Sequence, residues 1–278
     1  MRPHIEFIPS QWLRWESGVL HAARPELAAR VLSRDTGDGA CSLVLRYPQG
    51  YSRGTEQLDA DEEFIVLFGE IEIGETRYAR HDYAHLPRGF LRSSLRSSGG
   101  ALVLTFFSKD PIATAASIDA PAAHDPARLV RRIATRDVGG MKGPRAHMGS
   151  EGFNHSGTVH KLLFDDPLTR DKTWIAGLMP YWSCETTERH PVCEEEFALA
   201  GDIHMPSGIM YEGAYFWRPE NVAHGPFGTL GGTIHLCRGK GGLYSTQFAP
   251  AEQPFAWDPP YRPQLPVSYW RHVPKEFR

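Results

Sequence analysis

Two stretches of this chain align without a gap when one is slid 132 residues along the other. Glu56 falls on Glu188, Glu62 and Glu63 fall on Glu194 and Glu195, Gly69 on Gly201, and Pro87 on Pro219. Gly99-Gly100 falls on Gly231-Gly232. Upstream, SRDTGDGACSLVLRYP aligns with DDPLTRDKTWIAGLMP at the same offset, ending on Pro48 and Pro180. Self-similarity at a fixed offset means one folding unit used twice. Two positions break the match: Leu58 and Arg92 stand where His190 and His224 stand in the second copy. A metal-ligand set is complete in one copy and dismantled in the other.

The repeated unit reads as β structure. Short runs of β-branched and aromatic residues alternate with Gly, Pro and Asp: CSLVLRY, EEFIVLFGEIEIG, ALVLTFF, TWIAGLM, EEEFALAGDIHM, GAYFWRP and GTIHLC. Strands following one another closely, with turns between, predict an all-β sandwich or barrel rather than a βαβ sheet. One helix is expected, over ARPELAARVL at residues 23–32. The predicted organisation is a first barrel over 1–110, a linker and lead-in over 111–150, a second barrel over 151–249, and a tail over 250–278. The linker is rich in Ala, Pro and Gly. The tail's prolines exclude a central strand, and its Trp and Tyr residues predict an extended arm packed on the barrels.

Composition removes several classes of function. At 41% hydrophobic and 23% charged, the 278 residues can bury a sizeable core. A net charge of −3 with no basic run argues against nucleic acid. No apolar run reaches membrane-spanning length, and no signal sequence is visible at the N-terminus, so a cytoplasmic location is expected. Cys41, Cys184, Cys193 and Cys237 lack CxxC spacing and read as small buried hydrophobes rather than a disulfide framework. Cys193 has no visible partner base and is not read as a nucleophile.

The chemistry concentrates in the second copy. Glu188 and His190 are two apart on an expected strand, so their side chains share a face. Glu194 opens the next strand, and His224 follows in a second hairpin. Two hairpins closing across a small barrel would bring all four toward one interior point, and imidazole with carboxylate suits iron, manganese, nickel or zinc. The ordinary alternative is a set of surface hairpin residues. Within the run Glu194-Glu195-Glu196 a slip to Glu195 is open, and Glu188 is either a ligand or a hydrogen-bond partner of one. Trp174, Trp182, Tyr215 and Trp217 are candidates for an apolar pocket beside the metal or for plain core, and Arg218 for binding a substrate carboxylate or enolate. His235 is a further pocket candidate or a barrel-wall residue. His147, His155 and His160 read as loop residues or as a lid over the barrel mouth, and His81 and His85 as surface residues.

These spacings resemble the cupin superfamily, in a two-barrel (bicupin) arrangement. The first cupin motif runs Gly-x5-His-x-His-x3–4-Glu-x6-Gly and the second Gly-x5-Pro-x-Gly-x2-His-x3-Asn. Here Glu188-x-His190-x3-Glu194-x6-Gly201 follows the first, with Glu188 for the first His and Trp182 for the leading Gly. Gly213-x5-Pro219-x-Asn221-x2-His224 follows the second, with Asn221 for Gly and Gly228 for the final Asn. The resemblance implies tandem jelly-roll barrels with Glu188, His190, Glu194 and His224 as metal ligands. In the first copy, Glu56-x-Leu58-x3-Glu62-x6-Gly69 and Pro87-x-Gly89-x2-Arg92 keep the frame and lose the site. Leu cannot bind a metal and Arg stays protonated, so Arg92 is expected to pair with Glu62 or Glu56 in place of the metal's charge.

A 2-His-1-carboxylate face with open positions favours non-haem Fe(II). The expected activity is therefore a dioxygenase acting, with O2, on a small dicarbonyl, hydroxy-ketone or aromatic substrate. Two bound glutamates would instead suit a redox-neutral Mn or Zn lyase, hydrolase or isomerase. A non-catalytic small-molecule or metal sensor is the remaining class, against which stands the lack of any recognisable output domain. Resemblance also implies a homodimer.

Overall fold

The strands form where the β-branched and aromatic runs lie. A computed structural model describes residues 1–117, 119, 123–142 and 157–278. The chain divides into two units: Met1 with Leu13–Val138, and Arg2–Trp12 with Gly139–Arg278. Both are built of antiparallel sheet, with helix confined to short turns among the described residues.

In the first unit a seven-stranded sheet runs in the order Val130–Ala134, Asp82–Leu86, Glu62–Gly69, Ala101–Phe107, Cys41–Tyr47, Ala28–Arg34, Glu16–Ser17. A four-stranded sheet carries Tyr51–Arg53, Leu95–Ser97, Ile71–Ile73 and Thr76–Tyr78. The interior is filled by apolar side chains including Leu43, Leu45, Leu58, Phe64, Val66 and Val103. In the second unit the order is Ile5–Pro9, Ala214–Arg218, Cys193–Met205, Thr233–Lys240, Lys172–Leu178, Thr158–Asp165, Met141–Lys142. Thr186–Arg189 pairs with Gln247–Pro250 on a separate ribbon.

The 132-residue offset recurs in the pairing. Asp82–Leu86 maps onto Ala214–Arg218 residue for residue. Val103 sits opposite Val66 as His235 sits opposite Ala198, and each strand pair has its irregularity at the next step. Tyr83 donates to Glu63 at 2.7 Å, and Tyr215 to Glu195 at 2.8 Å. Gly69 and Gly201 both have positive φ, +70° and +80°. A Cβ on them would meet the carbonyl oxygens of Gly100 and Gly232 at 2.1 and 1.9 Å, so only glycine fits.

Several expectations change. Residues 23–32 are not a helix: turns bring the chain to the strand Ala28–Arg34. Ten residues, Pro25 among them, are too few to hold a helix alone, while Cys41–Tyr47 offers that backbone a partner. The turn also delivers Arg24 into the interior, fully buried. The segment Arg2–Trp12 belongs with the second unit, because Ile5–Pro9 pairs with Ala214–Arg218. His85 is buried, with its Nδ1 bonded to the Arg128 carbonyl at 2.7 Å, rather than on the surface. The tail runs along the second unit: Arg262 N–H donates to Ser207 O, Glu6 N–H to Gln264 O, and the Tyr261 hydroxyl to Phe7 O. Residues 143–156, the end of the expected linker with His147 and the start of the expected second barrel with His155, lie outside the described residues. Among the described residues no helix is long and apolar enough to cross a membrane.

Candidate metal centre and its cavity

Backbone pairing fixes the centre before any side chain is considered. Glu188 and His224 face each other across an isolated antiparallel bridge, N–H to O at 2.8 and 2.9 Å in the two directions. The strand Thr186–Arg189 stops at His190 because Pro191 has no N–H to continue it. Asn221, in a left-handed turn, donates its N–H to the His190 carbonyl and ties the second hairpin to the first.

The side chains then converge. Ligand atoms of Glu188, His190 and His224 lie within 4.8 Å of one another, the group of this kind found among the described residues. His224 Nε2 is 3.2 Å from Glu188 Oε1 and 3.4 Å from Glu194 Oε2, and His190 Nε2 is 3.4 Å from Glu194 Oε1. His190 Nδ1 lies 3.0 Å from Ser245 O and His224 Nδ1 3.1 Å from Val222 O. A carbonyl accepts only, so both Nδ1 atoms carry the proton and, in the neutral rings, both Nε2 lone pairs face the carboxylates; these tautomers are assigned from partners. That donor set fits a divalent ion: two imidazole nitrogens held in the ligating tautomer, with carboxylates beside them.

Three carboxylates, Glu6, Glu188 and Glu194, and one guanidinium, Arg218, stand around the centre. Burial would raise the Glu188 pKa, but the hydrogen bond from His224 and its charge outweigh it, and the net shift is downward. His224 moves the other way: burial and Arg218 oppose its charged form, Glu188 and Glu194 favour it more, and its pKa is raised. Arg218 is buried and held charged, its pKa raised by Glu6 and Glu194 against the cost of burial. Its Nη2 is 2.9 Å from Glu6 Oε1 and its Nη1 3.4 Å from Glu194 Oε2. Tyr244 donates to Glu194 Oε1 at 2.8 Å, stands 3.1 Å from His190 Nε2 and stacks on that ring. Burial, then the charge of Glu194, push the Tyr244 pKa well above the usual value for a phenol, so it is a fixed donor at neutral pH.

Beside the centre is a cavity of about 100 Å³ whose walls include Trp174, Trp182, Ile203, Phe227, Glu188, Glu194, Glu196, His160, His235 and Tyr244. Of the residues expected to form a pocket, Trp174, Trp182 and His235 line it. Tyr215 and Trp217 point from the other face of their strand, Tyr215 to Glu195 and Trp217 under the Arg2 guanidinium at 4.3 Å. Arg218 is committed to Glu6 and Glu194 instead of a substrate anion. Glu195 faces away from Glu194, as alternation requires, and pairs with Arg238 and Arg2. The sequence reading missed Glu6, Tyr244 and Glu196; Glu196 had a signal, since it is two residues from Glu194 on one strand and so shares its face.

The equivalent place in the first unit is closed by ion pairs. Glu56 and Arg92 form the same isolated bridge, N–H to O at 2.9 Å both ways. Arg92 Nη2 is 2.8 Å from Glu62 Oε2, and Arg24 Nη2 reaches Glu56 at 3.2 Å and Glu62 at 3.0 Å. Leu58 is buried in the apolar core.

The model of a family described as a domain of unknown function (DUF4437) matches residues 14–246. No curated protein matches the sequence. Among solved structures, the chain is similar to an inferred dioxygenase of Nostoc punctiforme, with a TM-score of 0.75 at 17% identity over 87% of this chain and 88% of that one. It is also similar to two variants of Bacillus subtilis oxalate decarboxylase, with TM-scores of 0.58 and 0.57 at 11% and 12% identity, each over 87% of this chain and 78% of that one. At these identities the likeness establishes the cupin type of fold.

Proposed function

We propose that this chain, which belongs to the DUF4437 family, is a metal-dependent enzyme acting on a small oxygenated substrate in its second unit. His190, His224 and Glu188 would hold one divalent ion, with Glu194 within reach of the same point. The observation that carries this reading is the pair of Nε2 atoms turned toward two carboxylates at the wall of a cavity that Trp174, Trp182, Ile203 and Phe227 also line. The first unit is then a degenerate copy. Arg24 and Arg92 place two positive charges between Glu56 and Glu62, the charge a divalent ion would bring to Glu188 and Glu194.

We infer a dioxygenase-type reaction with Fe(II) on a dicarbonyl, hydroxy-ketone or aromatic substrate. A divalent ion with open positions supplies a Lewis acid and a template for two substrate oxygens, and Fe(II) adds reactivity toward O2. The residues supply the rest. Tyr244 holds Glu194 and the His190 ring in place, Arg218 offsets the charge of Glu194, and Trp174, Trp182 and Phe227 keep water from the cavity. A second reading, a redox-neutral Mn or Zn enzyme such as a lyase, is favoured by one observation: both carboxylates stand at the imidazole nitrogens, and two anionic ligands suit Mn(II) and Zn(II).

The test is metal analysis of protein purified without added metal, run beside oxygen-electrode assays on 1,3-diketones, catechols and α-hydroxy-ketones. Iron with substrate-dependent oxygen uptake is the expected result. Manganese or zinc with turnover but no oxygen uptake selects the second reading. Bound metal with no turnover across the panel contradicts both and favours a sensor.

A further inference from the structure

Glu196 and His235 form a polar pair inside the second unit that the metal centre does not use. Glu196 Oε2 lies 2.8 Å from His235 Nδ1. A carboxylate offers only lone pairs, so His235 donates from Nδ1, and the neutral ring leaves Nε2 as an acceptor. His235 is 3% exposed, its Nε2 has no hydrogen-bond partner among the described residues, and both residues line the same cavity as Glu188 and Glu194. A buried acceptor left unpaired is costly and calls for a hydrogen-bond donor.

The first unit supplies the comparison. Glu196 stands where Phe64 stands, and His235 where Val103 stands, with the same strand register in both units. Phe64 and Val103 are packed in the apolar core. The frame therefore closes well with two apolar residues there, and nothing in barrel packing requires the carboxylate and imidazole. They occur in the unit that also carries His190 and His224.

We propose that the cavity recognises its substrate at two ends, with the oxygen-bearing head at the His190, His224 and Glu188 cluster and a hydroxyl or N–H group received by His235 Nε2. Trp174, Trp182 and Phe227 enclose the apolar body between them. Glu194, at the cluster, and Glu196, at His235, lie on one face of one strand two residues apart, roughly 7 Å along it at about 3.3 Å per residue, so the two ends are separate points on the wall of one cavity. The substrate class is thus a small, flat, largely apolar molecule carrying a hydrogen-bond donor opposite its metal-binding oxygens, such as a hydroxylated aromatic. The proposal deepens the metal-enzyme reading and rests on it for the head group; the donor end stands on His235.

Phenol and toluene, nearly equal in shape, are the probes. Both are titrated calorimetrically into the full chain and into a Glu196→Leu/His235→Val double variant, which removes both partners together and leaves no lone buried charge. The expected result is about tenfold tighter binding of phenol than of toluene to the wild type, and a preference below about threefold in the double variant. In parallel, the 15N resonance of His235 Nε2 is followed in wild-type protein exchanged into Zn(II): phenol should move it and toluene should not. An unmoved Nε2 resonance at saturating phenol overturns the proposal, as does an undiminished phenol preference in the double variant. The nitrogen measurement needs no variant to fold. Metal content measured on the same samples separates the two claims, since failure of the metal reading leaves the wild type without stoichiometric metal.

Discussion

Residues placed in the same backbone frame do different work according to who faces them. Glu62 and Glu194 occupy equivalent positions, yet Glu62 is enclosed by Arg24 and Arg92 and Glu194 by His190, His224, Arg218 and Tyr244. Burial alone would raise the Glu62 pKa, but the two guanidinium groups pull it down from 4.5 to about 2. A carboxylate depressed in the folded state contributes stability above its unfolded pKa and loses it as pH falls through the folded one. The unfolding free energy should therefore decline by up to about 3 kcal/mol between pH 4.5 and pH 2 through this group. Urea titrations across that range should show a shallower decline for Glu62→Gln, from a lower starting stability; identical slopes would contradict the assignment. The two histidines were legible in the sequence because each breaks an otherwise matching repeat. Arg24 was not, because its partners lie 32 and 38 residues away and nothing local announces them.

Elements were read well where β-branched and aromatic residues ran densely between turn residues. Ala101–Phe107 and Ala214–Arg218 lie within runs singled out from the sequence, since their buried backbone can be satisfied only in a ladder. The helix expected at 23–32 failed because propensity is weak against a waiting sheet edge. The N-terminal strand Ile5–Pro9 could not have been assigned to the second unit from local pattern, as its partner is over 200 residues away. Elements also depend on glycine where two loops meet. Gly201→Ala forces a Cβ into the Gly232 carbonyl at a φ of +80°. It should lower stability by about 1–3 kcal/mol, seen as a lower urea midpoint with an unchanged slope. A midpoint within error of wild type would show that the loop at Gly231-Gly232 yields freely.

For the whole molecule, the duplication acts as an internal control. One frame has been completed twice, once with an apolar interior and a charge-balanced arginine pair, once with two histidines, a Glu196–His235 pair and a cavity. On the proposed reading, the difference between the copies, more than either copy alone, marks where the chemistry would lie. The cavity itself was not legible, because its walls combine six separate strands and the loops between them. Two units of this kind give an asymmetric expectation: the second binds metal and the first does not. Metal content per chain is the most direct test, measured on wild type, on His190→Ala and on His224→Ala, each checked for folding by circular dichroism. One divalent ion per wild-type chain, lost in both folded variants, is the predicted result. Two ions per chain, or equal metal in all three proteins, would contradict it.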